Sequence, residues 1–251
     1  MVMIERRYNG PRDTGNGGWS AGTFAALVGR PAGTVVTLRQ PPPLDTPFSV
    51  VRDADSVHVY TPDAALVADA APAEIDADLV EPVDFAAATD TAKRYPGLVD
   101  HPFPTCFVCG PAREIGDGLR LSPGHVEPGR TATPWVVPSD ISATMVWAAL
   151  DCPGGWSVDL ETRPYVLGRM ALRLDGVPRP GDECVIMGQR LTSEGRKATV
   201  GTTLYGPSGD PLARSLATWR RGWNGWCRPT TRTSRTRRRA PTTCPATSRW
   251  R

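Results

Sequence analysis

The chain has 251 residues, 40% of them hydrophobic and 22% charged, and a formal net charge of +3, a composition typical of a globular protein with one large or two small domains. No apolar run approaches membrane-spanning length, and the opening residues lack the apolar core of a signal peptide, so we expect a cytoplasmic protein with no membrane partner. Six cysteines in a chain of this length do not indicate a disulfide scaffold.

The first half of the chain predicts one helix followed by a meander of strands. Asn16 can cap a helix over residues 17–27, and Gly17 and Gly18 permit a tight entry into it. Three β-prone stretches follow at residues 33–39, 47–53 and 56–61, and a fourth at 64–70 fits a strand or a helix. We take residues 1–70 as the first structural half.

Residues 71–105 predict an acidic linker between the halves. The stretch 61–94 is rich in Ala, Asp and Pro, and residues 81–95 have the pattern of a capped helix that buries Phe85. The linker therefore includes one helix of its own.

The second half, residues 106–219, repeats the order and adds strands. Strand candidates at 118–126 and 131–137 precede an apolar helix over 141–151, which ends in the carboxylate of Asp151. Four strand candidates follow, and turn residues separate the last three of them. One helix followed by an antiparallel meander thus occurs twice, which indicates an internal duplication.

Residues 220–251 hold ten Arg, no Lys and no acidic residue, and they lack apolar periodicity. They can be a basic arm, a disordered appendage or the product of a frameshift, and we favour the frameshift. We therefore predict a disordered Arg-rich tail and assign no function to it. The other 219 residues carry 19 basic and 26 acidic side chains, a net charge of −7. An acidic body argues against a nucleic-acid partner.

Two motifs in this order resemble acyl-CoA thioesterases. The run CFVCG at 106–110, followed by GLRL at 118–121, resembles the opening strand of PaaI-like hotdog thioesterases. The run NGGW at 16–19 resembles the helix start of TesB-like thioesterases. The resemblance covers roughly residues 15–219 and implies an α+β double hotdog fold, in which two central helices are each wrapped by an antiparallel sheet. It also implies hydrolysis of an acyl-CoA or another acyl thioester, no cofactor, and compatibility with a homo-oligomer.

The resemblance also implies where catalysis would occur. In PaaI-like thioesterases the central helix starts with Gly-Gly, and a carboxylate seven residues after the second glycine faces a thioester polarised by a glycine N–H of the other unit. Here Ala25 lies seven residues after Gly18, whereas Asp151 lies seven residues after Thr144. One composite site can therefore form from Gly17, Gly18 and Asp151, with the second site lost.

Each of these residues also has a simpler interpretation. Asp151 can cap the turn that Pro and Gly at 153–155 would form, and Asn16 can be an N-cap or a substrate contact. Trp19 and Trp147, with Phe24 and Met145, are candidates to line an acyl chain, although apolar helix residues more often form plain core. Arg196 and Lys197, in a predicted hairpin turn, are candidates to hold the phosphates of coenzyme A.

Other chemistries fit the sequence less well. Cys106 and Cys109 form a CxxC with His101 and His125 nearby, but a second CxxC or an HxxxH is missing, so we expect buried thiols and no metal. Cys152 lacks a nearby His to activate it as a nucleophile. Hotdog dehydratases commonly carry His five residues after an Asp, where this chain has Trp156. A non-catalytic acyl-CoA-binding or lipid-binding hotdog protein is the alternative to a hydrolase.

Overall fold

One antiparallel sheet of ten strands dominates the part of the chain that the computed structural model describes, namely residues 1–29, 33–158, 160 and 165–221. The first half supplies four strands: β1 (Thr34–Leu38), β2 (Ser49–Asp53), β3 (Ser56–Tyr60) and β4 (Leu66–Pro72). The second half supplies six: β5 (Gly124–Glu127), β6 (Arg130–Val136), β7 (Tyr165–Leu174), β8 (Glu183–Glu194), β9 (Lys197–Tyr205) and β10 (Pro211–Arg221). The strand order is β2-β3-β4-β1-β7-β10-β9-β8-β6-β5.

Three α-helices accompany this sheet: α1 (Gly17–Ala25), α2 (Phe85–Ala92) and α3 (Ala143–Trp156). Helix α1 packs against β1, β4 and β7, and helix α3 packs against β6, β7, β8, β9 and β10. Strands of each half thus pack on the helix of that half, and β7 at the junction contacts both helices, which confirms the predicted α+β class with two central helices and antiparallel strands. Among the described residues, no helix has the length and apolar character needed to cross a bilayer.

The halves are joined through β1 and β7, which pair antiparallel with Val36 opposite Met170. The strands bury alternate residues, as expected when one face of a sheet covers a helix. In β10, for example, Ala213, Ser215, Ala217 and Trp219 are buried. Helix α3 is buried on all sides from Met145 to Trp156, so it is a core helix rather than an amphipathic surface helix.

The structure corrects the predicted end of the second central helix. The Pro and Gly residues after Asp151 predicted a stop, but α3 continues through Pro153 to Trp156. Proline removes one backbone donor and crowds the carbonyl four residues before it, so Pro153 weakens the helix without ending it here. In the same turn the Pro153 carbonyl accepts a hydrogen bond from Thr131 Oγ1 at 2.7 Å. A Cβ on Gly155 would lie 2.4 Å from the Trp219 ring, so close packing by the sheet explains the glycine.

Two other segments differ from their predictions. The ambiguous stretch at 64–70 is part of strand β4. Only Gly124–Glu127 of the predicted strand 118–126 is regular, although the N–H groups of Leu119 and Leu121 donate to the carbonyls of the CFVCG segment. The left-handed backbone of Arg120, with φ of 50°, interrupts the strand between them.

Strand β10 extends two residues beyond the predicted domain end at 219, so Arg220 and Arg221 belong to the sheet. The remainder of the predicted tail, 222–251, lies outside the described residues. The domain boundaries at residues 70, 105 and 219 stay predictions.

Candidate active site

The two central helices cross in close contact, and glycines of α1 make that contact possible. A Cβ on Gly18 would lie 2.5 Å from Asp151 Cβ and 2.6 Å from the Trp147 carbonyl. A Cβ on Gly22 would lie 2.8 Å from Trp147 Cβ. Because Gly18 meets Asp151 while Gly22 meets Thr144 and Trp147, the helices run antiparallel. The start of α1 therefore lies beside the middle of α3.

This crossing brings the Asp151 carboxylate to the first turn of α1. Its Oδ2 accepts a hydrogen bond from the Gly18 N–H at 2.8 Å and another from Asn16 Nδ2 at 3.1 Å. Its Oδ1 is buried and has no hydrogen-bond partner among the described residues. Asp151 is only 3% exposed. Within this buried carboxylate, one oxygen is held by two donors and the other has none within the described ranges. Asp151 does not cap a turn at the end of its own helix.

Asn16 combines two tasks at the start of α1. Its Oδ1 accepts from the Trp19 N–H at 2.8 Å, which is a standard N-cap bond, while its Nδ2 donates to Asp151. The Gly18 N–H is engaged by Asp151, so two of the first three N–H groups of α1 have acceptors. The remaining N–H group, that of Gly17 at the first position of α1, has no acceptor in the described part of the chain, as expected for the first residue of a helix.

Burial raises the pKa of Asp151 to about 7. The hydrogen bond from Gly18 opposes this shift, the nearby Cys106 adds to it, and the hydrogen bond from Asn16 opposes it. Loss of hydration disfavours the charged carboxylate, and two donors restore only part of that loss. A carboxyl group whose pKa lies near neutrality can both take up and release a proton at ordinary pH.

Asp151 opens onto a pocket of about 900 Å³, its mouth included. The pocket joins Asn16 and Gly17 to residues from α3, β7 and β10. Its aromatic lining consists of His101, Phe103, Trp156, Tyr165 and Trp219. Trp219 is buried, and its Nε1 has no hydrogen-bond partner in the part of the chain that the structure describes. A mainly apolar pocket with a few polar groups is the usual form of a small-molecule site.

Three buried thiols line the same pocket: Cys106, Cys109 and Cys152. Their sulfur atoms all lie within 4.8 Å of one another. Hydrogen bonds from Cys109 and then Cys152 lower the pKa of the Cys106 thiol, whereas burial raises the pKa of the other two thiols. These thiols are the described side chains best placed to hold a metal ion, and they lie directly beside Asp151.

The predicted substrate contacts occupy different places. Trp19 stacks on Tyr8 with ring centroids 3.6 Å apart, and it is not among the described residues that line the Asp151 pocket. Trp147 is buried where the two helices meet and lines a second pocket instead. Phe24 and Met145 are core residues outside the Asp151 pocket. The roles assigned to these residues from the sequence stay predictions.

Arg196 and Lys197 lie at the turn between β8 and β9, as expected from the sequence. Lys197 is opposite Arg220 in the register of β9 and β10, and the Arg196 carbonyl accepts from the Arg221 N–H at 2.8 Å. Arg220 also lines the Asp151 pocket. Of these basic residues only Arg220 lines the pocket; Lys197 is its neighbour across the sheet, and a contact of Arg196 or Lys197 with substrate stays a prediction.

The second pocket has the position expected of the lost site. It joins Ala25, seven residues after Gly18, to Ala143 and Thr144 at the start of α3. The described residues that line it include no ionisable side chain. The two ends of the helix pair thus differ, with a carboxylate at one end and an alanine at the other.

Sequence reasoning did not identify the aromatic residues of the Asp151 pocket. Tyr165 and Trp219 belong to β7 and β10, which are far from the start of α1 in the sequence and line the pocket only in the folded protein. Trp156 follows a proline that predicted the end of its helix. Periodicity marks such residues as buried without showing what they face. The spacing of Trp156 from Asp151 gave no such signal, because residues five apart on a helix lie on different sides of it.

No protein-family model and no curated protein matches the chain. Solved structures do match. A candidate thioesterase from Novosphingobium aromaticivorans is 17% identical with a TM-score of 0.55, and the match covers 87% of this chain and 93% of that one. A hot dog fold protein from Alicyclobacillus acidocaldarius is 15% identical with a TM-score of 0.59, over 88% and 91%. The tesB protein of Mycobacterium avium subs. paratuberculosis is 13% identical with a TM-score of 0.57, over 84% and 89%. The chain therefore has a hotdog fold, as predicted.

Proposed function

We propose that this chain hydrolyses an acyl thioester, such as an acyl-CoA, at one composite site between its two halves. The observation that carries the proposal is the carboxylate of Asp151, which is buried and held through Oδ2, and whose Oδ1 has no hydrogen-bond partner among the residues that the structure describes. This carboxylate lies beside Gly17, the first residue of α1, which lines the same pocket and whose N–H is our candidate electrophilic donor. A base and an electrophilic donor in one apolar pocket are the groups that acyl transfer to water requires.

The geometry divides the roles of the two glycines. The Gly18 N–H binds Asp151 Oδ2, so this glycine positions the carboxylate instead of contacting the substrate. The Gly17 N–H, with no acceptor in the described part of the chain, is the donor left for the thioester oxygen. The positive end of the α1 dipole would add to its stabilisation of a developing oxyanion.

The reaction then needs no group beyond these residues and water. Asp151 Oδ1 accepts a proton from water as the water oxygen forms a bond to the thioester carbonyl carbon. The carbonyl oxygen becomes an oxyanion, stabilised by the Gly17 N–H. The carbon–sulfur bond breaks as the carbonyl re-forms, and the leaving thiolate takes the proton from Asp151.

The basic group beside the pocket supports a coenzyme A thioester as the substrate. Arg220 lines the pocket that contains Asp151, and Lys197 is opposite Arg220 in the neighbouring strand. Cationic side chains bind phosphate groups through charge-assisted hydrogen bonds. The names of two similar structures, a candidate thioesterase and a tesB protein, agree with this class of reaction.

The test is a thiol-release assay on the protein as purified, with acyl-CoA substrates from short to long chains and with aromatic acyl groups. The proposal expects turnover above the uncatalysed rate for at least one class, and release of one thiol per free acid formed. Absence of release across the whole panel, with the protein shown to be folded, would contradict it.

The alternative is a non-catalytic protein that binds acyl-CoA or a lipid. One observation favours it: the Gly18 N–H, a candidate oxyanion donor in the sequence analysis, is engaged by Asp151. Binding of acyl-CoA measured by calorimetry, without release of thiol, would support this alternative over the hydrolase.

A further inference from the structure

The three thiols of the pocket come from distant parts of the chain. Cys106 and Cys109 belong to the CFVCG turn, whereas Cys152 belongs to α3, directly after Asp151. The turn is pinned by the Gly110 N–H, which donates to the Cys106 carbonyl at 2.9 Å. A Cβ on Gly110 would lie 2.5 Å from the Cys106 nitrogen, so this tight turn requires glycine. Both elements are thus well fixed, and so is the cluster between them.

The separations between the sulfur atoms suit a tetrahedral metal ion. Zinc binds thiolate sulfur at about 2.3 Å, which places two sulfurs of a tetrahedral site about 3.8 Å apart. Cys106 Sγ and Cys152 Sγ are 3.9 Å apart, and all three sulfurs lie within 4.8 Å of one another. Small rotations of the side chains would bring all three to bonding distance of one ion. Soft thiolate ligands favour zinc among the common divalent metals.

Two side chains outside the cluster direct N–H groups at its sulfur atoms. Asn16 Nδ2 lies 3.7 Å from Cys106 Sγ, and His101 Nε2 lies 3.3 Å from Cys109 Sγ. The Phe103 N–H donates to His101 Nδ1 at 2.8 Å, so the proton of a neutral ring is on Nε2 and points at the sulfur. Donors of this kind stabilise the negative charge of metal-bound thiolates and orient the ligands.

We infer that Cys106, Cys109 and Cys152 form a zinc site with three protein ligands whose fourth position faces the Asp151 pocket. All three side chains line that pocket, and His101, with its proton on Nε2, is a supporting donor and not the fourth ligand. Three protein ligands with one open position characterise zinc sites that admit water or a substrate atom. The expectation of no metal was based on the spacing of ligands along the sequence. That spacing does not reveal Cys152, which α3 brings to the two thiols of the CxxC only in the folded protein. The inference does not depend on hydrolase activity.

The first test measures metal in the full-length protein, purified without chelators and under reducing conditions. Inductively coupled plasma mass spectrometry should find about one zinc per chain, the stoichiometry of a single tetrahedral site. Cys109→Ser and Cys152→Ser should each lose most of that zinc. Cys184→Ser is the matched control, because Cys184 is a buried free cysteine of β8 outside the cluster, and it should keep its zinc.

A second measurement on the unmodified chain avoids variants that fail to fold. With cobalt(II) in place of zinc, three thiolate ligands should give strong sulfur-to-cobalt charge-transfer absorption and the visible bands of tetrahedral cobalt. The inference is overturned if the wild type binds no zinc, even when zinc is supplied to the reduced protein. It is also overturned if Cys184→Ser loses as much zinc as the cluster variants, or if mass spectrometry of the purified protein finds a Cys106–Cys152 disulfide and no metal.

Discussion

Asn16 provides the sharpest test of how the site is held together, because its N-cap bond can be kept while the donations of its amide to Asp151 and Cys106 are removed. Serine is as good an N-cap as asparagine, so Asn16→Ser can keep the bond to the Trp19 N–H. Its short hydroxyl cannot replace the amide that donates to Asp151 Oδ2 at 3.1 Å. Asn16→Ala loses the N-cap bond as well.

The expected magnitudes follow from these contacts. Asn16→Ser removes one buried hydrogen bond to a carboxylate, which should lower the free energy of unfolding by about 1.5–3 kcal/mol. Asn16→Ala also loses the cap and should lower it by about a further 0.5–2 kcal/mol. The matched control is Asp84, the N-cap of α2, which accepts from the Ala87 N–H at 2.7 Å at an exposed site. Asp84→Ser should change the free energy of unfolding by only a few tenths of a kcal/mol.

The assay is unfolding in urea followed by circular dichroism, with all variants at one pH and under reducing conditions. The slope of the unfolding transition should be unchanged, so that a shift in its midpoint reports stability. The reasoning is refuted if Asn16→Ser is no less stable than Asp84→Ser relative to the wild type. That result would mean that the bond between Asn16 and Asp151 contributes nothing to the fold.

Three further predictions concern the helix contact, the basic group and the pocket wall. Gly18→Ala places a Cβ 2.5 Å from Asp151 Cβ and should lower the free energy of unfolding by about 1–3 kcal/mol in the same urea assay. Gly176→Ala is the control: its Cβ would meet only one atom, at 3.5 Å, and the free energy of unfolding should change little. Lys197→Ala should raise KM about two- to fivefold for an acyl-CoA and leave it unchanged for an acyl-pantetheine thioester, as expected for one exposed charge contact; equal changes for both substrates would exclude a phosphate contact. Trp219→Phe shortens a buried ring that packs against Gly155, so the free energy of unfolding should fall by about 1–3 kcal/mol in the urea assay, and an unchanged value would show that this packing contributes nothing.

The pairing of Asp151 with the first helix was predicted from the resemblance to PaaI-like thioesterases, in which a carboxylate of one central helix faces the glycines that start the other. When two helices cross antiparallel, two positions seven residues apart on one helix, about two turns, lie opposite two positions seven residues apart on the other. The sequence retains glycines in one helix and the acid in the other, and this complementarity indicated their contact. The direct bond between Asp151 and the Gly18 N–H was not predicted, because spacing along a helix does not determine side-chain rotamers.

The parts that could not be predicted depend on contacts between segments far apart in the chain. Cys152 joins the CFVCG turn through the path of α3, and Trp219 reaches the pocket through the register of β10. Neither relation leaves a local pattern. The continuation of α3 through Pro153 also depends on its surroundings, since Thr131 and the sheet stabilise a turn that a proline weakens.

The most direct test of the account compares catalysis and binding in Asp151→Asn. Asparagine preserves the shape of the side chain and can still accept the hydrogen bond from the Gly18 N–H, but it cannot act as a general base. Thiol release from the best acyl-CoA substrate, measured on metal-replete protein, should fall by about 10²- to 10⁴-fold. The dissociation constant for that acyl-CoA, measured by calorimetry, should change much less. Unchanged turnover in a folded Asp151→Asn protein would contradict the composite site between Asp151 and the start of α1.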